Sequence, residues 1–476
     1  MRISQRFNLN KKQAELDFID IDTNSDIPLF LDPHFLAHKN DNWSREATRT
    51  IRSFFQQMIN LVRNSKLDEA KKLFENLHEP NSTCLGLSRG RPQGRGVGKF
   101  NTNDIFDNII KSKAIQTGLI QDLEDNILFV EGFGKDKLSD MTTNIIRRHL
   151  IEYTQNQCRL HGIQLQEDVP SGFFWSRRSN SWEQSRTQML IISNRIILLV
   201  PKGVVSFSSD YTPDKYYNKF VLNFMQNEEI RLNSALVLKR NDGTPFVTKK
   251  DLKEKFPLTK EFLTDFSTKH PEILSKFKRE TNISPVTNFE LNPDANLREL
   301  VSFLAKELKA IIPGNSEATK YHRLITGILE LIFYPQLIYP SLEVEIHNGR
   351  KRIDLTFDNA AIDGIFFRLS NNLGLPSQYI MVECKNYSSD PANPELDQLA
   401  GRFSPNRGKV GLLLCRSIDN LQLFLDRCSD TYRDSRGLII PLTDDDLIML
   451  LENYNNWNSE FLDRFLSERI RIITVN

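Results

Sequence analysis

The sequence predicts an α/β fold, on three observations. From residue 316 onward, short apolar runs alternate with amphipathic segments, the pattern of a mixed sheet with helical cover. Residues 189–205 (MLIISNRIILLVPKGVV) form an earlier apolar run closed by Pro201, read as a buried strand or hairpin. Between the two, residues 216–293 are rich in lysine and helical pattern, and Gly243, Pro257, Pro271 and Pro285 cut them into pieces. The chain divides accordingly into an N-terminal α/β domain (1–215), a helical connector (216–310) and a C-terminal domain (311–476) whose mixed sheet is flanked by helices.

Residues 14–38 alternate acids with apolar residues and turn at Asp32-Pro33. Helical periodicity runs over 44–77, and Ser139 or Asp140 is expected to cap a helix reaching about Gln157. A strong helix covers 294–312 and stops at Pro313-Gly314. A helix at 316–333 then leads to extended segments at 342–347, 351–357 and 378–384, a helix at 394–403, a strand at 409–415, a helix at 418–430, a strand at 436–441 and a helix from about Asp444.

Composition narrows the function classes. The 476 residues, 39% hydrophobic and 26% charged, suffice for two or three ordinary cores. A net charge of +1 means that nucleic-acid binding would have to come from local patches. The five cysteines have no CxxC spacing, which argues against a zinc knuckle and for buried thiols in a reducing compartment. The N-terminal residues lack the apolar run of a signal peptide, and the stretch around Ile196–Val200 is too short to span a bilayer. A cytoplasmic location without a membrane partner is the expectation.

Two segments carry chemistry: GRKRIDLTF (349–357), with Asp354 inside an apolar strand, and YIMVECKNY (379–387), with Glu383 and Lys385 two residues apart. On a strand that spacing projects Glu383 and Lys385 to one face and Cys384 to the other. Two carboxylates plus a main-chain carbonyl, that of Cys384, suit a hard cation such as Mg²⁺, or Mn²⁺. Such an ion polarises a phosphate and activates water, and a lysine offsets charge on the phosphate. A plain ion pair at a sheet end is the alternative.

Asp354 followed by Glu383-Cys384-Lys385 resembles the PD-(D/E)xK nuclease superfamily, in a layout similar to its Mrr-like restriction endonuclease branch. The resemblance covers roughly residues 311–455. It implies a restriction-endonuclease-like core: a helix, a three-stranded antiparallel meander, a second helix and a fourth strand, here VGLLLCR (410–416). ELDQLAGRF (395–403) is similar to the glutamine-bearing helix of such proteins, which implies a role for Gln398 at the site. The family often adds a glutamate from the first helix. Of the two candidates, Glu317 falls beside the apolar stripe Tyr321-Leu324-Ile325-Ile328-Leu329-Ile332 and Glu330 nearly opposite it, so Glu317 is expected in the cleft and Glu330 away from it. Ile353 stands where the family name places proline, and a long stretch separates Asp354 from Glu383. The implied activity is metal-dependent cleavage of nucleic acid, DNA favoured, in a layout similar to restriction and anti-phage defence effectors. The partners implied are nucleic acid and either a second copy of the chain or another protein of a defence system. The rival reading is an inactive nuclease-like fold that binds nucleic acid or assembles with other proteins.

Other candidates lie outside that core. Arg350, Lys351 and Arg352 precede Asp354 and are natural phosphate contacts beside such a centre. GLSRGRPQGRGVGK (86–99) reads as a basic loop whose Arg89, Arg91, Arg95 and Lys99 either grip phosphates or form a solvated linker. Its spacing is not that of a Walker A loop. Asp136 and Asp140 suit helix capping better than cation binding, and Asp17, Asp20, Asp22 and Asp26 read as a solvated face.

Overall fold

A computed structural model describes residues 1–86, 102–207, 210–281, 285–292, 296–346, 351–454 and 459–475. The basic loop with Arg89, Arg91, Arg95 and Lys99, and also Arg350, lie outside the described residues. Two hydrophobic cores organise the chain. One draws on residues from Ile3 to Val286, with Ile338, Tyr339 and Ala360 reaching into it; the other runs from Val301 to Ile473, with Ala14 and Leu160 reaching into it. The segment after residue 212 is packed onto the first core through Tyr216, Tyr217, Leu222, Leu263 and Phe277.

Within the first unit, helices α1 (Asn42–Arg63) and α2 (Arg147–His161) contribute to the clefts against the second. Asp41 caps α1 by accepting from Ser44 N at 2.7 Å. The predicted helix to Gln157 is in fact two, Lys135–Ile145 and then α2. Gly134 is the N-cap, and Ser139 lies inside the first helix, where its Oγ accepts from Leu31 N at 3.0 Å. The apolar run 189–205 opens with a hairpin, Arg186–Ile192 with Arg195–Ile197. Its turn residues Ser193 and Asn194 both have positive φ, as a two-residue turn matching strand twist demands.

The second unit is built on five strands: β1 (Leu337–Ile346), β2 (Lys351–Asn359), β3 (Tyr379–Lys385), β4 (Val410–Cys415) and β5 (Leu438–Thr443). They lie in chain order across one sheet. β1–β2 and β2–β3 are antiparallel, β3–β4 and β4–β5 parallel. The parallel pairs need crossovers, which helices α5 (Asn393–Ala400) and α6 (Leu421–Arg433) supply. Helices α3 (Leu297–Ala310) and α4 (Ala318–Phe333) precede the sheet, and α7 (Asp444–Glu452) and α8 (Glu460–Val475) follow it. α4 packs with α3 and α7, whereas α6 packs with α5 and α8. Covered on both faces, β4 is buried throughout, which is why its sequence VGLLLC is continuously apolar.

The two units meet along α4. Glu330, expected to face away, is buried at 2% exposure. Lys11 and Glu15 of the first unit close over Gly327 on the same helix. The helical wheel sets Glu330 opposite the apolar stripe and away from the cleft, and on that side another part of the chain packs. Asp17 and Asp20 are likewise buried rather than solvated. Asp17 accepts from Tyr153 Oη at 2.7 Å and from Tyr339 N of β1 at 3.1 Å, tying the units together.

Candidate active site

Strand β3 delivers Glu383 and Lys385 to one face, as the two-residue spacing predicts. Glu383 is fully enclosed and Lys385 is 8% exposed. The lysine Nζ donates to Glu383 Oε1 at 2.7 Å and to Gln398 Oε1 on α5 at 3.0 Å. Arg402, one helical turn past Gln398, forms an ion pair with Glu383 Oε2. Sequence reasoning missed Arg402, although positions four apart share a helix face and its spacing from Gln398 is a signal for it.

Asp354 stands one residue beyond the antiparallel pair Leu355–Val382, so continuing that register sets it opposite Glu383. Its Oδ2 accepts from Cys384 N at 3.3 Å. Burial lowers the proton affinity of Arg402 and the charge of Asp354 raises it, which places Arg402 within electrostatic reach of both acids. Two carboxylates thus face two cations, Lys385 and Arg402. The Cys384 thiol is pushed up by burial and then by Asp354, so it stays protonated and only its carbonyl is available as a donor. All five cysteines are free and buried.

The end of β3 is clamped from outside the sheet. Asn386 Nδ2 donates to the Ile312 and Gly314 carbonyls at 3.0 and 2.8 Å, and Gly314 N donates back to the Asn386 carbonyl at 2.7 Å. Gly314 has φ of +123°, a backbone that only glycine adopts without strain. Arg416 braces the same turn from β4's end, donating to the Ile311 carbonyl at 2.8 Å and pairing with Asp444 at 3.0 Å.

Glu317 is not among the residues lining the cleft beside Asp354. It sits at the N-cap position of α4, and its Oε2 accepts from Ile312 N at 2.7 Å, closing its own turn. The first helix instead presents His322, whose Nε2 lies 3.1 Å from the Cys384 carbonyl. His322 and Arg323 line a cleft of about 560 Å³ with Asp354, and Lys11, Arg159 and His161 complete the opposite wall from the first unit. Burial, then Lys11 and Arg323, hold His161 down at about 3, so its ring is neutral. No local pattern in the sequence joins Lys11 and Arg159 to Asp354; only the docking of the two units does. Lys351 and Arg352 belong to β2, and their side chains lie outside the described residues, as do those of residues 343–346.

Donor chemistry tests the fit of a divalent cation. The Asp354 carboxylate and the Cys384 carbonyl are hard oxygen donors on the cleft side, as Mg²⁺ or Mn²⁺ requires. The oxygens of Glu383 already carry Lys385 and Arg402. Among the described residues, no three His, Cys, Asp or Glu side chains converge to hold a metal on their own. Asp354 and the Cys384 carbonyl offer the oxygen chemistry of a hard cation while already hydrogen-bonded to Cys384 N and lying beside His322 Nε2, respectively, and a full donor set would need Glu383 to share its oxygens.

Asp136 and Asp140 lie with Asp26 and Glu79 around a shallow depression away from this site. Burial, then Glu79 and Asp136, pushes the Asp140 carboxyl up to about 8. No helix among the described residues is long and apolar enough to cross a membrane.

No curated protein and no solved structure matches the chain. Residues 8–212, less than half of the chain and wholly within the first unit, match a family described as "Domain of unknown function (DUF8370)".

Proposed function

We propose that the chain is a metal-dependent nuclease that hydrolyses phosphodiester bonds, with DNA favoured as substrate and Asp354, Glu383 and Lys385 at its centre. The observation that supports the reading is the register that sets Asp354 opposite Glu383, with Asp354 Oδ2 on Cys384 N and Lys385 held by Glu383 and Gln398. A Mg²⁺ or Mn²⁺ ion bound there would polarise the scissile phosphate and activate the attacking water. Asp354 and the Cys384 carbonyl would hold it, with Glu383 contributing. Lys385, fixed by Glu383 and Gln398, offsets the negative charge that builds on the phosphate. Lys11, Arg159 and Arg323 give the cleft the charge that a phosphate backbone needs.

A second reading, an inactive nuclease-like fold that binds nucleic acid, draws on one observation: Arg402 occupies Glu383 Oε2. The two readings separate in a cleavage assay with Mg²⁺ or Mn²⁺ on double-stranded DNA, single-stranded DNA and RNA, comparing wild type with Lys385→Ala. The nuclease reading expects metal-dependent cleavage of at least one substrate, lost in the variant with binding retained. Binding without cleavage on all three, with either metal, favours the second.

A further inference from the structure

A second cleft, of about 580 Å³, opens between the two units where the sequence predicts no site. We propose that it is a nucleotide-binding site, taking a planar heteroaromatic ring that carries a phosphate.

Its walls have the required chemistry. Trp43, Tyr153, Trp175, Tyr339 and Tyr379 line it. Trp43 lies with its ring centroid 5.3 Å from Tyr339 and 6.3 Å from Tyr153. Large, stiff aromatic faces of this kind stack on any base. The indole Nε1 of Trp43 is enclosed and has no hydrogen-bond partner among the described residues, so the ring meets the cleft by its face rather than by this donor. At the mouth stand Arg148, Arg177 and Arg178, all exposed. Arg148 pairs with Glu152 at 2.9 Å and Arg177 with Glu46, while Arg178 makes no salt bridge among the described residues. Guanidinium groups are the side chains best shaped for a phosphate, and surface pairs to carboxylates give way to it at little cost. The volume falls within the range of small-molecule sites.

Position adds a consequence. Strand β2 brings Asp358 to this cleft and Asp354 to the other, about 13 Å apart at the usual strand rise. Helix α2 lines this cleft with Arg148, Tyr153 and Asn156, and the other with Arg159 and His161. The Asp358 carboxylate also lies by the backbone N–H groups of Asn42 and Trp43 at the start of α1, which favour its charged form against burial. A ligand seated on Trp43 therefore presses on the same strand and helix that form the proposed cleavage site. This regulatory half rests on the nuclease reading; the binding half does not.

The test is tryptophan fluorescence of the full chain, titrated with AMP, GMP, CMP and UMP, with the dinucleotides pApA and pGpG, and with a single-stranded oligonucleotide. Two of the chain's four tryptophans line the cleft. Saturable quenching is expected, at least about tenfold weaker in Arg148→Gln/Arg178→Gln, whose exposed positions leave the melting temperature unchanged. Saturation by a free nucleotide assigns the site to a small molecule; saturation by the oligonucleotide alone assigns it to a base at a strand end. No saturation by any of these probes, or equal titration of the variant, overturns the site. At saturation, hydrogen exchange over residues 353–358 should slow; unchanged exchange overturns the coupling. A chain that binds nucleotide yet cleaves nothing refutes the nuclease reading and leaves this site standing.

Discussion

The C-terminal sheet and the joint between the two units both bury charge, by opposite means. At the sheet, Glu383 is fully enclosed, but each of its oxygens meets a cation and Gln398 accepts a further hydrogen bond from Lys385. At the joint, Glu330 is equally buried, and neither of its oxygens has a hydrogen-bond partner among the described residues. Burial pushes its carboxyl up to about 8, against the pull of Lys11 and Lys202. Burial likewise brings Lys202 down to about 8. At the sheet the buried carboxylate is offset by cations; at the joint desolvation drives the charge towards neutrality, and makes the surface around it responsive to pH.

The contrast breaks most readily at Arg402. Arg402→Ala leaves buried Glu383 with Lys385 alone, and removing one partner from a buried pair costs about 3–5 kcal/mol, read from denaturant unfolding. Restoring neutrality with Glu383→Gln in the same chain should recover much of that loss, and additive losses would mean that the pair is not coupled.

Glu330→Gln should act in the opposite sense. The folded carboxyl keeps its proton to higher pH than the unfolded one, so its contribution to stability is full below about 4.5 and is lost as pH rises through about 8. The lowered Lys202 works the other way, adding stability as pH climbs from about 8 towards 10.5. Glu330→Gln is expected to leave stability unchanged at pH 4, to raise it by about 1–3 kcal/mol at pH 8, and to flatten the decline between them. An unchanged pH profile would place the carboxylate in water rather than in the joint.

A smaller change tests the tie between units. Tyr153→Phe removes one of the two donors to Asp17 and should cost about 1–2 kcal/mol, visible in the same unfolding experiment. Smallest for stability, and informative for binding, is Lys11→Gln/Arg159→Gln in the cleft beside Asp354. If these cations touch a duplex backbone, the slope of log affinity against log salt flattens by about 0.9 for each phosphate no longer neutralised. An unchanged slope removes them from the path of the substrate.

The same contrast shows what the sequence can and cannot reveal. The strands of the sheet are legible because their apolar runs are bounded by turn residues, and β3, β4 and β5 fall within two residues of their expected bounds. The first strand begins five residues earlier than its apolar pattern predicts. Pro340 interrupts that pattern, and a register shift between Ile338 and Ser341 absorbs the proline. The stretch between Asp354 and Glu383 hides a helix, Gly364–Asn371, too short for its periodicity to stand out. Lys385 with Gln398 is foreseeable because strand and helix periods are local properties. Glu317 is misplaced because it sits at the N-cap and accepts from Ile312 N. Glu330 does lie away from the cleft, but its burial is invisible to the helical wheel because Lys11 and Glu15, more than 300 positions away in sequence, cover that side of α4. For the same reason Lys11 and Arg159 are invisible as walls of the cleft.

The central claim is that the acids at the β2–β3 junction cut nucleic acid. Single-turnover cleavage in Mg²⁺, wild type against Asp354→Ala at saturating substrate, tests it most directly, with thermal melts to show that both chains are folded. The account predicts cleavage by wild type, a rate at least about a hundredfold to a thousandfold lower in the variant, and near-equal melting temperatures. Equal cleavage by the two chains, or none by wild type with any metal and substrate, would contradict it.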